Sequence, residues 1–182
     1  MKFIDLHNDP WRSLGGEDGP PVSINPQPHL LLSPGQWHAA RAHWPIAIAA
    51  GLELSNDRDV EDIAADLERF ALITLHFPKW VDGRAYSQAR LLRSRYRFKG
   101  EIRATGEVLV DMVALLARTG FDAAVLRADQ SIDIAWQALA AFRGHYQGDV
   151  NARLPLFALP VGAADALARE PVHEFVNQGA AI

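Results

Sequence analysis

Basic side chains crowd one stretch of this sequence. Between Phe77 and Arg103 stand Lys79, Arg84, Arg90, Arg93, Arg95, Arg97, Lys99 and Arg103, opposed only by Asp82 and Glu101. Eight basic minus two acidic residues give +6 in a chain whose net charge is -4, so everything outside the stretch sums to -10. Such a concentrated positive field in an acidic chain favours an anionic partner.

Within the stretch, Asp82-Gly83-Arg84 has the form of a tight turn feeding a helix. Gly83 tolerates unusual backbone angles, and the helix N-terminus offers free N–H groups to an anion. Arg84 adds a planar fork for carboxylate, sulfate or phosphate, Lys79 a point charge, and Ser87 and Tyr86 hydroxyls. Arg103 and Arg127 each lie at or near the end of a short expected strand. The anion-binding set is therefore Lys79, Gly83, Arg84, Ser87, Arg103 and Arg127. Asp82 is the acid–base candidate of the loop and Tyr86 the second; no catalytic residue is assigned beyond these candidates. A plainer reading of the same residues has Asp82 capping the helix and Arg84 pairing with a nearby acid.

Arg90, Arg93 and Arg97 recur at i, i+3 and i+7, which places them on one helix face. A solvated charged stripe opposite an apolar one is the ordinary outcome, and docking on an acidic partner protein is its functional rival. Nucleic acid is not expected, because the chain is acidic overall and carries no recognised nucleic-acid module.

Other chemistries are constrained by what the chain lacks. It has no cysteine, which excludes disulfides, thiolate iron–sulfur ligation, a thiol nucleophile and dithiol redox chemistry. No glycine-rich dinucleotide fingerprint, phosphate-binding P-loop or serine-hydrolase elbow occurs. Asp5-Leu6-His7-Asn8-Asp9 resembles the opening metal motif of some amidohydrolases, but the other histidines form no ligand-spaced pair, and no metal site is expected. His76, inside an apolar run, reads as a satisfied core histidine. Cofactors are left unassigned.

These residues need elements to position them. Residues 1–32 are broken by Gly15, Gly16, Gly19, Pro20, Pro21, Pro26 and Pro28 and read as an irregular wrapping arm. Ser33-Pro34-Gly35-Gln36 has the form of a capping box opening a short helix to about His43. Then follows an alternation: strand Ile46–Leu54, helix Asp59–Arg69, strand Leu72–Phe77, helix Arg84–Phe98, strand Glu101–Thr105, helix Glu107–Arg118 ended by Gly120, strand Asp122–Leu126 and helix Ser131–Phe142. Four strand–helix units imply an α/β fold with a small parallel sheet, either open or a half-barrel arc, and ligands in such sheets bind beyond the carboxyl ends of the strands. The domain is expected over 33–147, with 148–182 a variable tail containing an amphipathic Ala163–Arg169 piece.

At 182 residues the chain suits one such domain, and its 49% hydrophobic and 22% charged content is that of a soluble protein. No apolar run approaches the roughly 20 residues a membrane helix needs. The opening MKFIDLHNDPW has acids where a secretory signal needs an apolar core, so a cytoplasmic protein without membrane association is expected.

Three runs carry a family resemblance: FPKWVDGRAYSQARLLR over 77–93, FKGEIRATGEVL over 98–109 and GFDA over 120–123. They closely resemble the bacterial domain of unknown function numbered nine hundred and thirty-four, over about Leu30 to Gln147. The family is labelled as oxidoreductases of sulfite reduction through association with sulfate and sulfite assimilation genes. The resemblance thus implies an accessory or oxidoreductase-associated role in assimilatory sulfate and sulfite reduction, with sulfite reductase or another sulfur-assimilation enzyme as partner. Ala85, Met112 and Thr119 stand where the family usually has Gly, Gln and Cys. The alternatives are a small-molecule enzyme or binder holding an oxyanion (sulfite, sulfate or a phosphate group) at the strand ends, and an interaction domain without catalysis.

Overall fold

The structure, a computed structural model, describes residues 1–15, 24–141, 146–150, 154, 156–160 and 162. The expected Ala163–Arg169 piece lies outside the described residues. Seven strands form one sheet: β1 (Lys2–Phe3), β2 (Arg12–Ser13), β3 (Leu30–Leu32), β4 (Ala50–Leu54), β5 (Phe70–Phe77), β6 (Glu101–Gly106) and β7 (Ala123–Ala124). Their order is β1-β7-β6-β5-β4-β3-β2, with every neighbouring pair parallel. Among the described residues four α-helices accompany them: α1 (Pro34–Ala40), α2 (Arg84–Ser94), α3 (Val113–Thr119) and α4 (Ile132–Ala140).

The expected α/β fold with a parallel sheet is thus present, and the strand order is that of a barrel opened between β1 and β2. A length comparison shows why the sheet curls. From Phe3 to Arg12 the chain has nine steps, a reach of about 30 Å, while six gaps between flat strands total about 29 Å. Part of that reach goes into a turn, closed by the Asn8 amide donating to the Asp5 carbonyl at 3.1 Å. A segment shortened in this way joins the two edges only if they curve toward each other, giving a half-barrel.

Several elements differ from expectation. The arm over 1–32 is not wholly irregular, since β1, β2 and β3 come from it. Runs of two or three residues are too short to show a period, and their pairing is set by distant strands. The first expected strand begins at Ala50 rather than Ile46, because Pro45 starts a turn in which the Ile48 amide donates to its carbonyl. Val60–Arg69 is a 3-10 helix. Helix α2 stops at Ser94, where Arg97 takes a left-handed φ of 54° and the Phe98 amide closes onto the Leu92 carbonyl at 3.0 Å. At α1 the capping box forms as expected: Ser33 Oγ accepts from the Gln36 amide, and Gln36 Oε1 accepts from the Ser33 amide.

Strand alternation divides the sheet into two unlike faces. Leu52, Leu54, Ile73, Leu75, Phe77, Ile102 and Ala104 point outward into the core beneath Trp37, the 3-10 helix, α2 and α3. On the concave face, strand register sets Leu31, Gly51, Leu72 and Glu101 at one level and Glu53, Thr74, Arg103 and Ala123 at the next. His76 and Thr105 lie one level nearer the C-terminal rim.

Residues 4–11 form a strap across that concave face. Asp9 reaches Arg103 on β6, and the Trp11 ring lies over β4. Gly51 makes the second contact possible: a Cβ there would stand 2.6 Å from Trp11 Cζ3.

Candidate functional site

The loop from Pro78 to Gly83 leaves the C-terminal end of β5, and Gly83 is the N-cap of α2 with φ -82°, so its wider backbone freedom goes unused. Asp82 and Arg84 grip each other twice, Nε to Oδ1 at 3.0 Å and Nη2 to Oδ2 at 2.7 Å, while Asp82 Oδ1 also accepts from the Arg84 amide. Hydrogen bonding from Arg84 holds the Asp82 carboxyl far below the usual carboxylate range. As an acid–base candidate it is therefore a permanently ionised group near neutral pH. Tyr86 packs its ring on Phe77 and Phe121, and burial pushes its phenol above the ordinary value. Lys79 and Ser87 are exposed, and neither side chain has a partner among the described residues.

Arg103 and Arg127 do not join Arg84 in one site. Arg103 lies three residues before the end of β6, level with Thr74, hence about 10 Å below the rim where the Gly83 loop departs. Its side chain enters the concave face, is 3% exposed, and donates from Nη1 to Asp9 at 2.5 Å and from Nε to Glu101 at 2.8 Å. Arg127, beyond β7, is clamped by both Asp129 oxygens at 2.6 and 2.7 Å and by Glu107 at 2.6 Å. Those bonds lower Asp129 to about 2 and raise Arg127 further above its already high value.

The expected arginine stripe is also divided. Arg93 turns inward and donates to the carbonyls of Phe98 at 2.6 Å, Gly100 at 2.9 Å and Gly120 at 3.0 Å, and pairs with Asp122. Arg97 lies past the end of α2 and so shares no helical face with Arg90. Both Arg90 and Arg97 are exposed, with no side-chain partner among the described residues.

Sequence reasoning missed three features. His76 is not a core residue: it is exposed, with Nδ1 3.5 Å from Thr105 Oγ1. The alternation in LITLHF carries that information, since Ile73, Leu75 and Phe77 occupy the opposite face. The pairing of Asp9 with Arg103 had no signal, being 94 residues apart in sequence. Near the rim, Gln88 Oε1 is buried with no hydrogen-bond partner among the described residues, although Gln88 Nε2 donates to the Ser55 and Arg58 carbonyls, and Asn56, also buried, offers its side chain to the Asp82 carboxylate. Of the Asp5–Asp9 motif, residues 5–8 form an exposed turn in which Asp5 accepts from His7 and Asn8, while Asp9 turns away to Arg103. Among the described residues, no group of three or more metal-ligating side chains is placed to hold an ion. No helix among them is long and apolar enough to cross a membrane.

The fold and its surfaces thus define a parallel α/β half-barrel whose rim arginines are held by the chain's own carboxylates. Residues 51–157 match the family described as bacterial protein of unknown function (DUF934), and the chain belongs to that family. No curated protein matches it. The match begins at Gly51, so the strap and β1–β3 precede the matched residues.

Proposed function

We propose that this chain is an accessory, protein-binding component of assimilatory sulfate and sulfite reduction. It docks on sulfite reductase or a neighbouring enzyme of the pathway through the basic stretch 77–103. The family resemblance supplies the pathway. The observation that carries the docking mode is the division of the cations. Arg84, Arg93, Arg103 and Arg127 are committed to acceptors within the chain, whereas Lys79, Arg90, Arg97 and Lys99 are exposed and unpaired among the described residues. Exposed surplus charge steers association with an acidic surface and is screened by salt. Of the expected docking residues, Arg90 and Arg97 keep that role here, and Arg93 acts within the fold.

The test is retention of purified sulfite reductase on the immobilised chain. Retention is expected at low salt, falling as salt rises. Reversing Arg90 and Arg97 to Glu is expected to weaken it at least tenfold at low ionic strength, with the gap closing toward 0.5 M salt, where the Debye length is only about 4 Å. Absence of retention at low salt, or equal retention by the variant, overturns the proposal.

A second reading places an oxyanion at the rim, held by Lys79, Gly83, Arg84 and Ser87. It is supported by the open side chains of Lys79 and Ser87 beside the first turn of α2, and it requires Arg84 to exchange Asp82 for the ligand. Calorimetric titration of sulfite against Arg84→Ala tests it: unchanged affinity removes Arg84 from the site.

A further inference from the structure

We propose that the concave face of the half-barrel is a binding site for a small carboxylate, and that Asp9 is its built-in, displaceable occupant. Arg103 presents two edges there. One is held by Glu101 from its own strand, through Nε and Nη2. The other, Nη1, is held by Asp9, which belongs to the strap rather than to the sheet. Lifting the strap would free that edge while leaving the strands in place.

The fold has little need of a charge at this position. A buried ion pair is often no more stabilising than apolar residues of the same volume, and the opposite face of β6 is built from Ile102 and Ala104. The groups around Arg103 are hydrogen-bonding ones with capacity to spare. The Thr74 hydroxyl, on the neighbouring strand at the same level, has among the described residues only a 3.5 Å contact to the Leu52 carbonyl. Toward the rim, Thr105 and His76 are likewise 3.5 Å apart, and His76 opens to solvent. A guanidinium edge, two hydroxyls and an imidazole therefore follow one another along the concave face from the level of Arg103 toward the rim.

Charge fixes the ligand class and couples binding to the strap. Asp9, Glu101 and Arg103 sum to -1, and Glu53, which accepts from Ser13, adds a further negative charge one strand beyond Thr74 at the same level, so an added carboxylate would put three acids around one guanidinium. Exchange of Asp9 for one carboxylate of a ligand leaves the charge beside Arg103 unchanged, and the second carboxylate of a dicarboxylate faces His76 and the rim. Binding and strap release are then one event, and the tethered Asp9 competes at an effective concentration of about millimolar. The ligand places its carboxylate against Arg103 Nη1 and Thr74 and extends toward Thr105 and His76.

Titration calorimetry with succinate, at ionic strength fixed with chloride, compares the parent with Asp9→Asn. This variant keeps Arg103 paired with Glu101, and it is expected to bind succinate at least tenfold more tightly. Hydrogen exchange on the parent reads the strap. Saturating succinate is expected to speed exchange of the Trp11 amide, which donates to Asp9 at 3.3 Å, at least tenfold. The Ile4 amide, held by the Ala124 carbonyl, is expected to stay protected. Equal succinate affinity in parent and variant, or an unchanged Trp11 rate, overturns the proposal. Should Asp9→Asn fail to fold, the exchange measurement decides alone. Binding at the rim would leave Trp11 untouched, which separates this site from the Arg84 reading.

Discussion

Arg90 and Arg93 stand one turn apart on α2 and carry the same charge, but their surroundings give them opposite roles. Arg93 satisfies three carbonyls, two of them around the turn that joins α2 to β6, and pairs with Asp122, which also accepts from the Ile102 amide. Its stem passes over Gly120, where a Cβ would stand 2.5 Å from Arg93 Cγ. Replacing Arg93 by Met leaves those acceptors unpaired beside a buried strand and is expected to cost about 3 kcal/mol. Arg90→Met, at an exposed position, is expected to stay within about 0.5 kcal/mol of the parent. Urea unfolding of both variants checks this, and equal midpoints would show that the Arg93 bonds contribute nothing. The sequence spacing treats these two arginines alike because it reports direction around a helix. It says nothing of the carbonyls that a long side chain can reach beyond the helix end.

At the scale of elements, legibility followed locality. The capping box at Ser33 was readable because all its atoms lie within four residues, and Gly120 was readable as a left-handed cap, with φ 109°. Ser33→Ala removes a hydrogen bond at the entry of α1 and is expected to destabilise by about 1 kcal/mol, measured as a lowered unfolding midpoint. The larger strands were readable from alternation, and the parallel sheet from their succession. By contrast β1, β2 and β3 are two or three residues long and owe their existence to partners far along the chain. The candidate site divided in the same way. Asp82 and Arg84 lie two residues apart, so a helix cap from Asp82 and a nearby acid for Arg84 are legible locally, while the structure shows that the acid is Asp82 itself. That Arg103 looks into the concave face, toward Asp9, depends on which face the helices cover, and no spacing within β6 reveals it.

The whole molecule is a curled sheet with helices outside and its own N-terminal strap inside. Gly51 lets the Trp11 ring of the strap lie directly on the sheet: a methyl group there would meet Trp11 at 2.6 Å and Leu31 Cδ2 at 2.7 Å. Gly51→Ala is therefore expected to lift the strap while β4 to β7 persist, at a cost of about 1–3 kcal/mol. Faster hydrogen exchange confined to residues 4–14 checks it; unchanged exchange there would show that the strap is not seated by this contact.

The pairing of β1 with β7 also sets an order of events during synthesis. The first strand leaves the ribosome about 120 residues before its partner, an interval on the order of ten seconds at about 5–20 residues per second. Throughout that interval Lys2 and Phe3 belong to a nascent chain with nothing to pair with, so that edge of the sheet is the last to be completed. A transcript truncated before the codon for Ala123 would yield a polypeptide whose opening residues never find a place.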